Sequence, residues 1–265
     1  MIDRPRWMRM TSPDQERPTD KTVKRDGVVI EARGLTKNYE TGKLTVEALR
    51  GVDLRVNRGE VVAIMGPSGC GKTTLLNCLS GLDDVSAGSV RVEGKEIARM
   101  DDDARSDFRA LRMGFVFQNY NLMAVLTALE NVELPLLLTG GDRGTARTKA
   151  MEALETMGLK GREHHRPAEL SGGQQQRVAI ARSIVNSPAI LWADEPTGNL
   201  DTQTALKVIE LLLQVNERTG QTVVMVTHDI NVGNRSHRIL RMDSGRIIGE
   251  EQGALARAST PAGTG

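Results

Sequence analysis

The residues Gly66-Pro67-Ser68-Gly69-Cys70-Gly71-Lys72-Thr73-Thr74 constrain this chain more than any other stretch. They read G-x-x-x-x-G-K-T, the pattern of a phosphate-binding loop. An apolar run at 61–65 leads in as a buried strand, and 72–80 leads out as a helix. The glycines let the backbone curl so that successive N–H groups point at one anion. The following helix adds the positive end of its dipole. Lys72 reaches toward terminal phosphates, and the Thr73 hydroxyl is placed to ligate the magnesium ion that travels with them.

The rest of the chain agrees with an α/β core. Its 265 residues suit one large domain with a sizeable insertion. Hydrophobic residues at 39% and charged residues at 26% allow both a buried core and a wet surface. Aromatics are only 3%, too few for a base-stacking platform that grips single strands. With 35 basic and 34 acidic side chains, the net charge of +1 gives no general attraction to nucleic acid. If Cys70 and Cys78 both sit on the helix after the loop, roughly 12 Å of axial rise separates them, too far for a disulfide. A reducing, cytosolic setting fits. Cys70 beside a helix N-terminus is either a reactive thiol or a small side chain the loop tolerates. No apolar run approaches the roughly 20 residues that cross a bilayer, so any membrane spans belong to another polypeptide.

Taken in order, residues 1–26 read as a disordered tail without a secretory signal, and 253–265 as a second tail. Arg4, Arg6 and Arg9 around Trp7 suit either a solvated tail or contact with a membrane surface. Val28, Ile30 and Ala32 alternate as in a half-buried strand, and a second strand signal runs over 44–56 with a turn near Gly51. Tyr39 lies between them, upstream of the phosphate loop. It is a packing residue or a ring that stacks on a purine. A strand and turn occupy 88–94. From about 98 to 185 the pattern is mostly helical, with Pro135 interrupting a helix at 130–138 and Gly158 closing another. Strand signals return at 189–194 and 223–226, on either side of an amphipathic helix at 202–217 closed by Gly220. A hairpin then turns at Asp243-Ser244-Gly245. Strands alternating with helices imply a mainly parallel sheet interrupted by a helical insertion.

Two further stretches carry chemistry. Asp194 and Glu195 end a buried strand, where two adjacent carboxylates repel unless a cation is near. A division of labour follows: Asp194 on the magnesium side, Glu195 polarising an attacking water. A solvated acidic turn is the bland alternative. Leu170-Ser171-Gly172-Gly173-Gln174 precedes a helix pattern at 175–185 and forms a second anion site, or else an ordinary Ser-capped loop. One chain would hardly place two such sites on one nucleotide unless two chains met.

Leu170-Ser171-Gly172-Gly173-Gln174 resembles the signature of ATP-binding cassette ATPases. The Walker A match at 66–73, a Walker B match at 190–194, Gln118 as the Q-loop, Gly198-Asn199-Leu200-Asp201 as the D-loop and His228 as the H-loop complete that order and spacing over about 28–250. The resemblance implies a P-loop NTPase of the ABC type over 27–252. Its α/β fold is a mainly parallel sheet with an antiparallel β region, and a helical subdomain at about 98–185 is inserted in the core. It implies two copies closing head to tail, each ATP between 66–74 of one and Ser171, Gly172, Gly173 and Gln174 of the other. Gln118 is expected on magnesium and the attacking water, Asp194 on magnesium and Glu195 as general base. His228 would hold the γ-phosphate and orient Glu195, Asp201 would link the two sites, and Tyr39 would be the A-loop aromatic. Ala48-Leu49-Arg50-Gly51-Val52, Gly114-Phe115-Val116-Phe117-Gln118, the run 130–136 and Asp194-Glu195-Pro196-Thr197-Gly198-Asn199-Leu200-Asp201 are similar to the lipoprotein-releasing and macrolide-exporter subfamily. Cys70 and Thr73 depart from it, standing where Ser is commoner. That subfamily implies an ATP-hydrolysing subunit on the cytoplasmic side of the membrane, energising a separate permease. Regulation without transport, as in the related cell-division ATPase, is an alternative. A soluble DNA-repair or translation ATPase is another, though no coiled-coil insertion or zinc module is visible.

Overall fold

The computed structural model describes residues 27–42 and 44–259 of the chain. The expected disorder of 1–26 and the Arg4, Arg6, Trp7 and Arg9 cluster fall outside these residues, as does the end of the second tail.

Two sheets enclose one helix. β1 (Val28–Thr41) pairs antiparallel with β2 (Leu44–Asn57) and with β4 (Ala87–Val92), and a two-residue β5 (Lys95–Glu96) completes this sheet. The larger sheet has the order β10-β9-β3-β8-β7-β6. It comprises β3 (Val61–Met65), β6 (Met113–Phe117), β7 (Ile190–Asp194), β8 (Thr222–Val226), β9 (Arg238–Asp243) and β10 (Arg246–Gln252). All its neighbours are parallel except β9 and β10.

The parallel strands are apolar on both faces, as strands covered from two sides must be. Their alternate residues enter different cores. Ala63, Leu191, Ala193 and Met225 face the core of α3 (Ala128–Leu138), α4 (Arg143–Thr156), α5 (Gly172–Ile184) and α6 (Thr202–Thr219). Ile64, Ile190, Trp192 and Val224 face α1 (Lys72–Ser80) and, beyond it, Ile30, Val56 and Val90 of the antiparallel sheet. Period-2 side-chain alternation separates the helical layer from the β layer. α6 shows the complementary period: Ala205, Val208, Ile209, Leu212, Val215 and Asn216 are buried at three- and four-residue spacing, between the Asp201 cap and left-handed Gly220.

Four local expectations need correction. Residues 98–185 are not uniformly helical: β6 forms the sheet edge beside β7, so α2 (Asp102–Arg112) and β6 belong to the core layers. Five residues carry too little period to be told from buried helix. Gly51 makes no turn, since β2 runs on through it. At φ +75° it is the extra residue where β2 bulges against Leu35 and Thr36. Pro135 does not interrupt α3, whose last turn closes with Thr139 N–H donating to the Pro135 carbonyl at 3.2 Å. Nor is the chain irregular from Gly253, since α8 (Ala254–Ser259) is docked there, on the segment that follows α7 (Ile230–Gly233). Gly253, Ala254 and Leu255 N–H groups donate to the carbonyls of His237, Asn234 and Ser236. A Cβ on Gly253 would lie 2.1 Å from Ser236 O, so only glycine permits this approach.

Candidate functional site

The phosphate loop is built by close approach. A Cβ on Gly66 would lie 2.0 Å from the Met242 carbonyl oxygen, which fixes the strand end against β9. Gly69 and Gly71 take φ values of +77° and +102°, the left-handed turns that aim the loop N–H groups inward. Leu75 N–H donates to Gly71 O at 2.8 Å and starts α1. Lys72, 8% exposed, folds over the loop and donates from Nζ to the Gly66 and Pro67 carbonyls at 3.0 and 2.8 Å. Cys70 is buried and free, with its carbonyl accepting from Gly245 N–H. It lies before the helix, not on it. Cys78, on α1, is pushed up to about 12 by burial, with the Asp83 carboxylate adding to the rise. Neither pairs in a disulfide.

Residues 68–74, Gln118, Glu195 and His228 line one open cavity of about 600 Å³. Asp194 stands at the end of β7 and accepts from the Thr73 hydroxyl at 3.0 Å. Burial raises the Asp194 pKa. The Thr73 hydrogen bond and Lys72 oppose that rise, and the Glu195 charge adds to it. A desolvated carboxylate beside a hydroxyl is a hard-oxygen donor pair of the kind that binds magnesium together with phosphate oxygens and water. The residues present therefore fit that ion. Glu195 follows at φ +47°, a left-handed conformation for a residue with a side chain. Its N–H donates to Val226 O at 3.0 Å and its carbonyl accepts from Gly198 N–H at 3.0 Å, which hold the turn. His228 Nδ1 lies 3.0 Å from Glu195 Oε2. The Glu195 side chain is 16% exposed and that of His228 69%, so the pair has a wet outer member and a shielded inner one.

Gln118 sits just beyond β6. Its carbonyl accepts from Asn199 Nδ2 at 3.0 Å, and its Nε2 lies 3.5 Å from Asn199 Oδ1. Asn199 therefore ties the Q-loop residue to the turn after Glu195. The resemblance puts Asn199 in the D-loop stretch Gly198-Asn199-Leu200-Asp201 without implying this contact. Gln176, fully buried on α5, donates to Pro196 O at 2.5 Å and supports the same turn from below. No sequence signal singled it out.

Three groups of expected site residues lie apart from the cavity. Tyr39 is on β1 opposite Val46, which lines the cavity wall. Ser171, Gly172, Gly173 and Gln174 start α5, with Ser171 Oγ accepting from Gln174 N–H and Gln174 Oε1 from Ser171 N–H. Ser171 and Gly173 open on a different cavity, shared with Arg177, Thr204 and Lys207. A Cβ on Gly173 would lie 2.4 Å from Thr204 Cγ2, so a larger residue there would have to displace that side chain. Asp201 caps α6 by accepting from Thr204 N–H at 3.0 Å. One chain thus does not bring Ser171 to its own phosphate loop.

A phosphate loop closing a parallel strand, with an acidic pair at the end of the next strand but one, defines a P-loop nucleoside triphosphatase. The model of the family described as ABC transporter matches residues 49–198. An ABC transporter ATP-binding protein of Thermotoga maritima is 48% identical over 232 residues, 88% of this chain and 99% of that protein. The lipoprotein-releasing system ATP-binding protein LolD of Xanthomonas axonopodis is 44% identical over 86% of this chain and 93% of its own. The cassette MJ0796, whose namesake protein comes from Methanocaldococcus jannaschii, was solved as a dimer in a post-hydrolysis state bound to ADP and Pi. It superposes with a TM-score of 0.79 at 44% identity, over 84% of this chain and 98% of that one. The chain belongs to the ABC transporter family, with the ABC cassette fold, and it is an ATP hydrolase of that type.

Proposed function

We propose that this chain is the ATP-hydrolysing subunit that energises a separate membrane permease, for export or mechanical transmission. The cargo class would be lipoprotein, lipid, peptide or drug. The carrying observation is Glu195 held 3.0 Å from His228 at the mouth of the phosphate-loop cavity. Glu195 is the general base and His228 orients it and meets the γ-phosphate. Thr73, Asp194 and Gln118 hold magnesium, which supplies charge neutralisation at the phosphates when bound. Lys72 exchanges two loop carbonyls for phosphate oxygens. Residues 66–74 grip the triphosphate through backbone N–H groups.

A second copy completes the site. Ser171, Gly172, Gly173 and Gln174 open away from the chain's own cavity, which supports head-to-tail pairing, with Asp201 at the crossing. The permease docks where Leu134, Pro135 and Leu138 of α3 face Phe115 and Phe117 of β6 across a groove of about 400 Å³. The chain sits peripherally on its partner; among the described residues no helix is long and apolar enough to cross a membrane. No nucleic-acid partner is expected. Glu195→Gln should bind ATP, accumulate as a nucleotide-bound dimer on sizing columns and lose most turnover. Hydrolysis at near the wild-type rate in that variant removes Glu195 from the role of base. Whether a permease co-purifies with the trapped dimer from membranes tests the transport reading.

A further inference from the structure

Tyr39 is 38% exposed, yet its ring is not free to turn. Its hydroxyl donates to Asp83 Oδ2 at 2.6 Å, with the Thr74 side chain beside it. Lys37, two residues earlier on the same face of β1, donates from Nζ to Asp83 Oδ1 at 2.6 Å and to Asp84 O at 2.8 Å. That same Nζ stands 4.8 Å from the Tyr39 ring centroid. One carboxylate therefore holds a phenol and an ammonium together, and the ammonium covers one face of the ring. Asp83 is itself anchored to the end of α1, its N–H donating to Asn77 O at 3.2 Å. The helix that begins at Lys72 thus carries, just past its other end, the residue that fixes Tyr39.

We propose that Asp83, with Lys37, positions the Tyr39 ring for the nucleobase, setting how much of the ATP affinity comes from the base. This rests on the reading of Tyr39 as the aromatic that stacks on the purine. A free tyrosine would lose rotamer freedom on stacking, and a ring already fixed by two polar contacts does not. Lys37 covers one face, so a base would stack on the other. Asp83 touches no substrate in this account and acts only through Tyr39.

Binding to the purified full-length chain separates this from a structural role. Affinity is measured by calorimetry for ATP and for inorganic tripolyphosphate, which has the phosphates without the base. Asp83→Ala and Tyr39→Phe should each weaken ATP roughly fivefold to tenfold, part of what one stacked base contributes, and leave tripolyphosphate unchanged. Their combination should cost little more than either alone, as expected for groups acting as one unit. Asp83→Asn keeps the shape of the site and should weaken ATP at least roughly twofold, again without moving tripolyphosphate. Equal losses for both ligands, or additive losses in the double variant, overturn the positioning role. So does an unchanged ATP affinity in both Asp83 variants while Tyr39→Ala is weakened. An unchanged ATP affinity in Tyr39→Ala removes the purine reading itself, and this inference with it.

Discussion

Asp194 is held as a charge where burial disfavours charge. Its pKa is raised, so between its unfolded and folded values the native state binds more protons, and stability falls as pH rises through that window. Above that window the empty protein carries the full cost. Asp194→Asn keeps an oxygen to accept from Thr73 and removes the desolvated charge. The nucleotide-free variant should melt about 2–4 °C higher than wild type, while magnesium-dependent hydrolysis is lost. A lower melting temperature would mean that Thr73 and Lys72 already outweigh the burial. At this scale the sequence was a good guide to which residues gather. Residues 68–74, Gln118, Glu195 and His228 do line one cavity, and Thr73 does meet Asp194. It gave no access to Lys72 lying on its own loop carbonyls, to Asn199 holding Gln118, or to Asp83 holding Tyr39. The last two contacts join residues tens of positions apart, and the first is a local fold-back of one side chain; no period or spacing encodes any of them.

Single elements are held in place by a few ion pairs that also join layers. Glu93, at the turn after β4, accepts from Arg112 Nε at 2.6 Å and Nη2 at 2.7 Å, and from Arg58 at 3.3 Å. Burial pushes its pKa up, but the Arg112 and Arg58 contacts prevail and hold it below the ordinary glutamate value of 4.5. That contribution is complete above about 4.5 and fades as pH falls through the lower folded value. Glu93→Gln should cost about 1–3 kcal/mol in denaturant midpoint analysis at pH 7, with the gap to wild type narrowing below pH 4.5. A pH-independent gap would assign the loss to shape alone. Elements with long periods or strong punctuation, such as α6 and the 61–65 strand, were legible from residues. β6 was not, because its pairing partner β7 lies more than seventy residues on. α8 was not, because its composition resembles a tail and its docking depends on one glycine–carbonyl approach.

At the scale of the whole molecule, the separation of Ser171 from the chain's own cavity predicts complementation. Lys72→Ala disables the loop side. Ser171→Asp keeps an N-cap oxygen for α5 but sets a carboxylate where phosphate must come. Each variant alone should be inactive. An equimolar mixture should recover roughly a quarter of wild-type hydrolysis, because half the pairs are mixed and each has one intact site of two. No recovery, with mixed pairs shown to form, would place both motifs on the same nucleotide within one chain.

The strand order has a consequence for the chain as it is made. β3, which carries the phosphate loop, pairs only with β8 and β9, so Val61 waits for Val223 and Val62 for Arg238. At ~5–20 residues per second, synthesis of the intervening ~160 residues takes on the order of 10–30 s. Throughout that time an all-apolar segment has both edges unpaired, while β1 and β2 are already paired and β4 soon joins them. The antiparallel sheet and α1 are therefore the early shelter for β3 on the ribosome. Chains that stop short of residue 226 would retain every loop residue and still lack the strand that sets the loop's level, leaving a segment prone to pair with other copies.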